Sequence, residues 1–467
     1  MFYKLKKLFC DVCLGKTKFY EGLQAGNFKE LVEMAGLCNI CTENGAENFA
    51  KLNVLLASLE EHWHKHNTTQ CPIPDLALRA KQYKGYLLSD FNNHLEIHSE
   101  CATHCMRWYL SPEPACSSVH PHSCHSCNER WSLFSEIKNV MDCLNVEQSE
   151  KIVIQQNLDQ IEESLHIYIS HLVRGKYQRC QCLSQINNLK KGETIIVVDY
   201  MMKLPFQRLH KPQKDWFGKK GVSLHGAMFI FRDYTDGPLM TEFHDNFSEN
   251  DDRQNWFFSA SCIEQSIVNF KKLHPEVVSA TLWSDNGAHY KNTSLVTWLG
   301  HIFQNTGVKV TAFNNFEAQK GKTKLDSHYA VLKFALKAYR HEGHDILSPP
   351  DIVAGTERLR GTNVYEITLD RDKEPQSVKT WQGISNYFSF VYEYSENGEC
   401  SAITAQEQTG VGPTTRLKKD QIDNLWAEVP HNLTLQRERK KLHSSRKNKC
   451  LQHLRYNLGK HRSVKLC

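Results

Sequence analysis

The sequence lacks the features of several large protein classes. Among its 467 residues, no apolar run approaches the roughly 18–20 residues that a membrane-crossing helix needs. The N-terminal stretch MFYKLKKLFCDVC begins basic but reaches Asp11 before an apolar segment can form, so no secretory signal peptide is predicted. Internal repeats and low-complexity segments are also missing. We therefore expect a soluble intracellular protein that does not contact a membrane.

Two catalytic signatures are missing as well. There is no GxxxxGK[ST] loop to bind phosphates, because Gly321-Lys322-Thr323 has no glycine at the required upstream position. No nucleophile elbow accompanies the many Cys and His residues, so a hydrolase with a serine or cysteine nucleophile is not predicted. We expect no nucleotide cofactor.

The composition is that of a folded protein with an uneven charge distribution. Apolar residues make up 40% and charged residues 23%, which excludes wholesale disorder, and the length suits roughly two to four domains. The net charge is +5, but residues 437–467 hold 11 Lys or Arg and one acidic residue, a balance of +10. This basic tail, taken as 431–467, predicts a polyanionic partner or a nuclear address, the alternative being a solvated end.

Cysteine is concentrated near the N-terminus. Ten of the 17 cysteines lie in the first 127 residues, and an odd total without a predicted leader favours zinc over disulfides. Cys10-x2-Cys13 and Cys38-x2-Cys41 are two knuckles, each of which supplies two thiolates from one turn. We predict that these four cysteines bind structural Zn²⁺, the alternative being buried free thiols.

A second group of potential zinc ligands lies between residues 101 and 127. Cys124-x2-Cys127 is its clearest half-site, and the preferred set of ligands adds Cys116 and His122. Eight nearby Cys or His residues leave the ligands ambiguous. The other candidates include Cys101, Cys105 and His120.

Changes of pattern divide the chain into five segments, which together define a multidomain α/β protein. They are a Cys/His-rich zinc-binding region at 1–145, a helical connector at 146–190, an α/β core at 191–345, a small β-containing accessory domain at 346–430 and the basic tail at 431–467. The connector carries apolar residues at alternating spacings of four and three. This seam favours packing onto a neighbouring domain, whereas a coiled-coil dimer, and hence a homo-oligomer, stays open.

The α/β core places three acidic residues where they can meet. The hydrophobic patterns predict the element order βββαβαβα. Asp199 ends the apolar run of the first strand, Asp285 ends the fourth strand, and Asp326 begins the last helix. Three carboxylates at one sheet edge, without a basic partner, suit Mg²⁺ or Mn²⁺. Two such ions would support in-line displacement at a phosphodiester.

This part of the sequence resembles the DDE/D transposases and retroviral integrases. The resemblance covers about residues 191–345, and its most specific part is Asp285-Asn286-Gly287 followed by the segment from Gly321 to Asp326, with 40 residues between Asp285 and Asp326. It implies an RNase H-like core and cleavage and joining of double-stranded DNA. It also implies that Asp199 bridges two metal ions, that Asp285 and Asp326 each hold one, and that Lys333 approaches donor DNA.

Two departures from the integrase pattern leave alternatives open. The third acid is Asp where integrases have Glu, and Glu317 is a rival that would leave 31 intervening residues. The interval between Asp199 and Asp285, with 85 intervening residues, contains an insertion at 205–221 whose basic and aromatic residues suit DNA contact. A solvated loop is the other interpretation. The residues assigned to DNA contact there are Arg208, Lys211, Lys214, Trp216, Lys219 and Lys220.

Three functional hypotheses follow. The first is a nuclear, transposon-encoded or transposon-derived transposase that acts through the Asp triad, with zinc modules and the basic tail binding DNA. The alternative is a domesticated zinc-dependent DNA- or chromatin-binding protein that retains the fold without catalytic activity. A third is an RNase H-like nuclease acting on RNA–DNA hybrids, for which no hybrid-binding motif is visible.

Overall fold

The computed structural model describes residues 38–66, 70–111, 116, 118–144, 146–206, 208, 221–248, 251 and 253–435. Several predictions therefore lie outside the described residues. They concern Cys10, Cys13, Lys211, Lys214, Trp216, Lys219, Lys220 and positions 436–467 of the basic tail.

The described chain begins with a helical region. A π-helical turn, Ile40–Ala46, leads into α1 (Glu47–His66), followed by α2 (Ile73–Leu88), α3 (Phe91–His94), a 3-10 turn (Ala102–His104), α4 (Met106–Leu110) and α5 (His125–Asp142). Apolar faces of these helices enclose one hydrophobic cluster, in which Leu52, Leu76 and Phe134 are buried.

The predicted connector is a single long helix, α6 (Gln148–Asn187), of 40 residues. Its apolar seam packs within the chain, because Leu158, Leu165 and Leu172 are buried in the same cluster as the preceding helices. The last turns of α6 reach the sheet, where Cys182 joins a second cluster with Ile195. The helix thus connects the helical region to the α/β region.

Within the described residues, nine strands form one mixed sheet in the order β6-β3-β2-β1-β4-β5-β7-β8-β9. They are β1 (Glu193–Pro205), β2 (Gly221–Phe231), β3 (Met240–Phe247), β4 (Ser279–Ser284), β5 (Lys309–Asn315), β6 (Thr362–Glu366), β7 (Ser389–Tyr394), β8 (Cys400–Gln408) and β9 (Val411–Lys418). The first three strands pair antiparallel, whereas β4 lies parallel to β1 and β5 parallel to β4.

Helices cover both faces of the central sheet. They are α7 (Trp256–Leu273), α8 (Thr293–Leu299), α9 (Phe303–Thr306), α10 (Lys324–His341), α11 (Pro349–Thr356) and α12 (Lys419–Asp423), with 3-10 turns at Arg371–Lys373 and Ile384–Asn386. Alternate residues of β1 point to opposite faces. Ile196 packs in the cluster that contains α7 and α8, whereas Ile195 packs in the cluster that contains α10 and α11. The order from β1 to α10 follows the βββαβαβα that the sequence predicts, with a second, short helix, α9, between β4 and β5.

The sequence predicts a small accessory domain at 346–430, but the strands of this segment join the central sheet instead. Strand β6 pairs in parallel with β3, and β7 pairs antiparallel with β5, so this segment extends the central sheet at both sides. The physical reason is that β3 and β5 would otherwise present unpaired edges. None of the described helices is long and apolar enough to cross a membrane.

Candidate active site and metal-binding clusters

Two of the predicted carboxylates come from adjacent parallel strands. In the register of β1 and β4, Val198 lies opposite Ser284, so Asp199 and Asp285 follow at the same level. The Asp199 side chain accepts a hydrogen bond from the Tyr200 amide at 2.8 Å. Asp199 lies within β1, where it is only partly open to solvent. The strand pairing thus brings together two residues that are far apart in the sequence.

The turn after β4 presents Asp285 to solvent. Its Oδ1 accepts a hydrogen bond from the Gly287 amide at 2.9 Å, a local turn typical of Asp followed by Asn-Gly. The Asp285 side chain retains 47% of its accessible surface. It is therefore available to a ligand at the sheet edge.

The third carboxylate lies in the first turn of α10. Asp326 accepts a hydrogen bond through Oδ2 from the Thr323 amide at 2.7 Å, and the Thr323 hydroxyl accepts one from the Leu325 amide at 3.2 Å. This capping box explains why α10 begins here. Asp326 itself is exposed. The carboxylate therefore caps the helix and also faces solvent.

The three carboxylates interact electrostatically. Burial, together with the negative charges of Asp285 and Asp326, raises the pKa of Asp199 to about 7, although the Tyr200 amide acts in the opposite direction. Such a carboxylate is favoured in its charged form by a nearby cation. A bound divalent ion would therefore offset the repulsion among the three carboxylates and stabilise the ionised form of Asp199.

The carboxylates lie near one another without forming one tight cluster. Within the described residues, four groups of three or more Cys, His, Asp or Glu have all their donor atoms within 4.8 Å of one another, and none includes Asp199. In a two-metal site the ions are about 3.5–4 Å apart, and the outer carboxylates bind different ions. Those carboxylates need not lie as close together as ligands of one ion.

Tyr329 and His328 hold α10 against the sheet behind the carboxylates. The Tyr329 hydroxyl donates to the Asp199 carbonyl at 2.6 Å and accepts from the Gly226 amide at 3.2 Å. His328 Nε2 lies 2.7 Å from Oδ2 of the fully buried Asp245 on β3. Tyr329 is buried on the apolar face of α10, but helical periodicity carries no information on the partner of its hydroxyl.

His289 lies beside Asp285 and is absent from the sequence-based site. Its Nε2 is 3.9 Å from Asp285 Oδ1 and has no hydrogen-bond partner within the described part of the chain. The ring packs edge-on against Tyr200, at 4.8 Å between centroids. Burial lowers the pKa of His289, with Asp285 acting in the opposite direction. The signal available in the sequence was its position four residues after Asp285.

Glu317, the rival third acid, has other partners. Its Oε1 lies 3.0 Å from His171 Nδ1, and Arg174 donates to both carboxylate oxygens, at 2.9 and 3.2 Å. Burial alone would raise the pKa of Glu317, but these contacts outweigh it and lower the pKa to about 2. Glu317 is thus fixed beside α6, whereas Asp326 acts electrostatically on Asp199.

Four residues form a closed Cys/His cluster in the helical region. His94, His104, Cys124 and Cys127 have donor atoms within 4.8 Å of one another, the composition of a tetrahedral structural zinc site. The Cys124 and Cys127 thiols lie 3.8 and 3.9 Å from His94 Nδ1. His104 Nε2 is buried without a hydrogen-bond partner among the described residues. These residues could hold a metal ion such as zinc.

The structure does not bring together the predicted set of Cys116, His122, Cys124 and Cys127. Cys116 instead belongs to a group with Cys105 and His120, while His122 is exposed and lies 3.0 Å from Glu100. The reason is tertiary, because α3 and the 3-10 turn place His94 and His104 beside the start of α5. A further group, Glu60, His64 and Cys71, is more open to solvent.

The second predicted cysteine knuckle has a partner in α6. Cys38 and Cys41 lie with His171 in a group of three potential ligands. Their predicted partners Cys10 and Cys13 are outside the described residues. The residues predicted to contact DNA that the structure describes are Lys333 and Arg208, both of them exposed.

The comparisons identify one family model. Residues 178–380 match a family described as Domain of unknown function (DUF8701). The matched segment contains Asp199, Asp285 and Asp326 and excludes the cysteine-rich helices. No curated protein and no solved structure matches the chain.

Proposed function

We propose that the chain is a transposon-encoded or transposon-derived DNA transposase that cleaves and joins double-stranded DNA at Asp199, Asp285 and Asp326. The observation that carries this proposal is the register of β1 and β4, which sets Asp199 and Asp285 at the same level of adjacent strands; the raised pKa of Asp199, to which burial and the charges of both other carboxylates contribute, supports it. A site that gathers negative charge around a half-buried carboxylate on a central strand has the chemistry of a divalent-cation site.

The strand arrangement supports an RNase H-like core. The central five strands lie in the order β3-β2-β1-β4-β5, with the first three antiparallel and the last two parallel to β1. In this arrangement Asp199, within β1, lies level with the carboxyl end of β4, and α10, which carries Asp326 in its first turn, contacts the Asp199 backbone through Tyr329. The order agrees with the family that the sequence resembles.

The protein's own groups would bind and orient the reacting atoms. Two bound Mg²⁺ or Mn²⁺ ions would activate a water or a 3′-hydroxyl and stabilise the leaving oxygen. Asp199 would contact both ions, while Asp285 and Asp326 would each contact one. Tyr329 fixes the Asp199 backbone and α10 relative to each other, so it positions the acids rather than reacting.

Exposed cations and zinc clusters would supply DNA binding. Lys333 lies two helical turns after Asp326 on α10 and Arg208 follows β1, so both are near elements that carry the acids. The proposal places structural zinc in the cluster of His94, His104, Cys124 and Cys127. It also places the protein in the nucleus, where double-stranded DNA is the partner, and leaves a homo-oligomer open.

The decisive experiment measures nicking of supercoiled DNA, and joining of 3′-hydroxyl DNA ends to it, by the full-length zinc-loaded protein in Mg²⁺ or Mn²⁺. Asp285→Asn is expected to abolish cleavage and to leave DNA binding nearly unchanged. Asp233→Asn is the matched control. Asp233 is exposed and follows the end of β2 that pairs with the start of β1, away from Asp199. Equal cleavage by the parent and Asp285→Asn would refute the site. If the parent and both variants bind DNA in a salt-sensitive way and none of them cleaves it, the domesticated DNA- or chromatin-binding alternative is favoured.

A further inference from the structure

We infer that Cys38, Cys41 and His171 bind one zinc ion, and that this centre joins the knuckle of Cys38 and Cys41 to α6 and to the end of β5. The sequence predicted the two cysteines as zinc ligands but not the histidine. The inference concerns a metal centre separate from the carboxylate site, and it does not depend on the proposed cleavage activity.

The distances suit a tetrahedral ion. Both the Cys38 and the Cys41 sulfur lie 3.4 Å from His171 Nε2, and all three donor atoms are within 4.8 Å of one another. With zinc–sulfur and zinc–nitrogen bonds of ordinary length, tetrahedral angles separate sulfur from nitrogen by about 3.5 Å and the two sulfurs by about 3.8 Å. The Cys41 amide also donates to the Cys38 sulfur at 3.4 Å, as a compact knuckle requires.

The environment orients His171 for coordination. Its side chain is fully buried, and Nδ1 lies 3.0 Å from the Glu317 carboxylate. Because an ionised carboxylate can only accept, Nδ1 carries the proton and Nε2 presents its lone pair to the thiols. Histidine ligands of metals commonly donate their other ring N–H to a carboxylate in this way.

A second layer of contacts holds Glu317 in place. Arg174 donates Nε to Oε2 and Nη2 to Oε1 of Glu317, and Gln178 Oε1 accepts from the Glu317 amide at 2.6 Å. His171, Arg174 and Gln178 are spaced by three and four residues, so they share one face of α6. Through these contacts with Glu317, that face of α6 holds the segment that follows β5 in place.

The same segment contacts the backbone that carries Asp285. The Phe316 amide donates to the Ser284 carbonyl at 2.8 Å, and Asn315 Nδ2 donates to the Asp285 carbonyl at 3.2 Å. Continuous contacts therefore run from the knuckle through His171 and Glu317 to the end of β4. Zinc at this site would stabilise the junction between the helical region and the sheet.

The ion type follows from the ligands. Two thiolates and an imidazole favour zinc over hard cations such as Mg²⁺. Three protein ligands leave the fourth tetrahedral position for water or another donor. Cys10 and Cys13, the predicted partners, lie outside the described residues.

The test measures zinc in the purified full-length protein by elemental analysis and the absorption spectrum after Co²⁺ substitution. His171→Ala is expected to contain one zinc fewer per chain than the parent and to lose part of the thiolate-to-cobalt absorption. His166→Ala, at an exposed position of the same helix, is the matched control and should equal the parent. Glu317→Gln should bind this zinc about 10–100-fold more weakly.

Two further measurements distinguish loss of a ligand from loss of folding. Circular dichroism reports whether His171→Ala stays helical. His171→Cys keeps a ligand at the position, so we expect it to retain the zinc and to absorb more strongly in the thiolate-to-cobalt band. Parent-like zinc content and spectrum in His171→Ala, or a parent-like band in His171→Cys, would overturn the inference. No DNA enters the assay, so its failure is distinct from failure of the proposed function.

Discussion

Asp199 and Asp285 lie at the same level of two adjacent parallel strands, each directly after a residue of the pair Val198 and Ser284. The pairing of β1 with β4 therefore sets the electrostatics of the candidate site. A change in the relative level of the two carboxylates would require a shift in the register of β1 and β4. Burial of both faces of these strands opposes such a shift.

Replacing Asp199 is expected to stabilise the metal-free protein at high pH. Its raised pKa of about 7 means that the folded state holds this proton more tightly than the unfolded chain does. The free energy of unfolding therefore falls as pH rises from about 4 to about 7. Discounting for water that reaches the half-buried group, we expect Asp199→Asn to add about 2 kcal/mol at about pH 8 and nothing at about pH 4.

Urea denaturation at both pH values, in buffer without Mg²⁺, measures this effect. Asp233→Asn should match the parent at each pH, since its side chain is exposed. Adding Mg²⁺ at about pH 8 should stabilise the parent and have less effect on Asp199→Asn. An Asn variant whose stability follows the parent across the pH range would contradict the placement of Asp199 among like charges.

The two candidate third acids should separate by their effects. We expect Asp326→Asn to lower the rate of metal-dependent cleavage by about 100-fold or more and to leave the zinc content unchanged. Glu317→Gln should instead weaken zinc binding, because its carboxylate contacts His171. Comparing nicking rates and zinc affinity for both variants tests the assignment. The reverse pattern would identify Glu317 as the catalytic acid.

Tyr329→Phe should destabilise the protein without changing its charge. The hydroxyl joins the Asp199 carbonyl to the Gly226 amide, and its removal leaves buried polar groups without this partner. We expect a loss of about 1–3 kcal/mol in the free energy of unfolding, measured by urea denaturation. Tyr234→Phe, at an exposed position, should change it by less than about 0.5 kcal/mol. Equal effects of the two substitutions would argue against this role.

The cluster of His94, His104, Cys124 and Cys127 predicts that replacing His104 affects zinc content and that replacing the nearby His122 does not. His104→Ala should contain one zinc fewer per chain and melt at a lower temperature, because a tetrahedral site loses a ligand. His122→Ala should match the parent, since His122 lies on the surface beside Glu100. Elemental analysis and thermal melting measure both. Zinc loss in His122→Ala alone would restore the set of ligands that the sequence suggested.

Local patterns were sufficient to predict the element order and the positions of Asp199, Asp285 and Asp326 within it. Apolar runs and helical periodicity depend on near neighbours in the chain, so the long helix α6 and the strands β1 and β4 are evident without coordinates. The cysteine pair at 124 and 127 was evident for the same reason, because a knuckle is a local turn.

Only the tertiary fold settled which distant residues meet. His171 is 130 residues from Cys41 and His94 is 33 residues from Cys127, and no spacing rule links such partners. The strands of 346–430 joined the central sheet for a similar reason, since free edges of β3 and β5 exist only once that sheet has formed. Long-range contacts depend on packing and strand pairing, which the order of residues along the chain does not display.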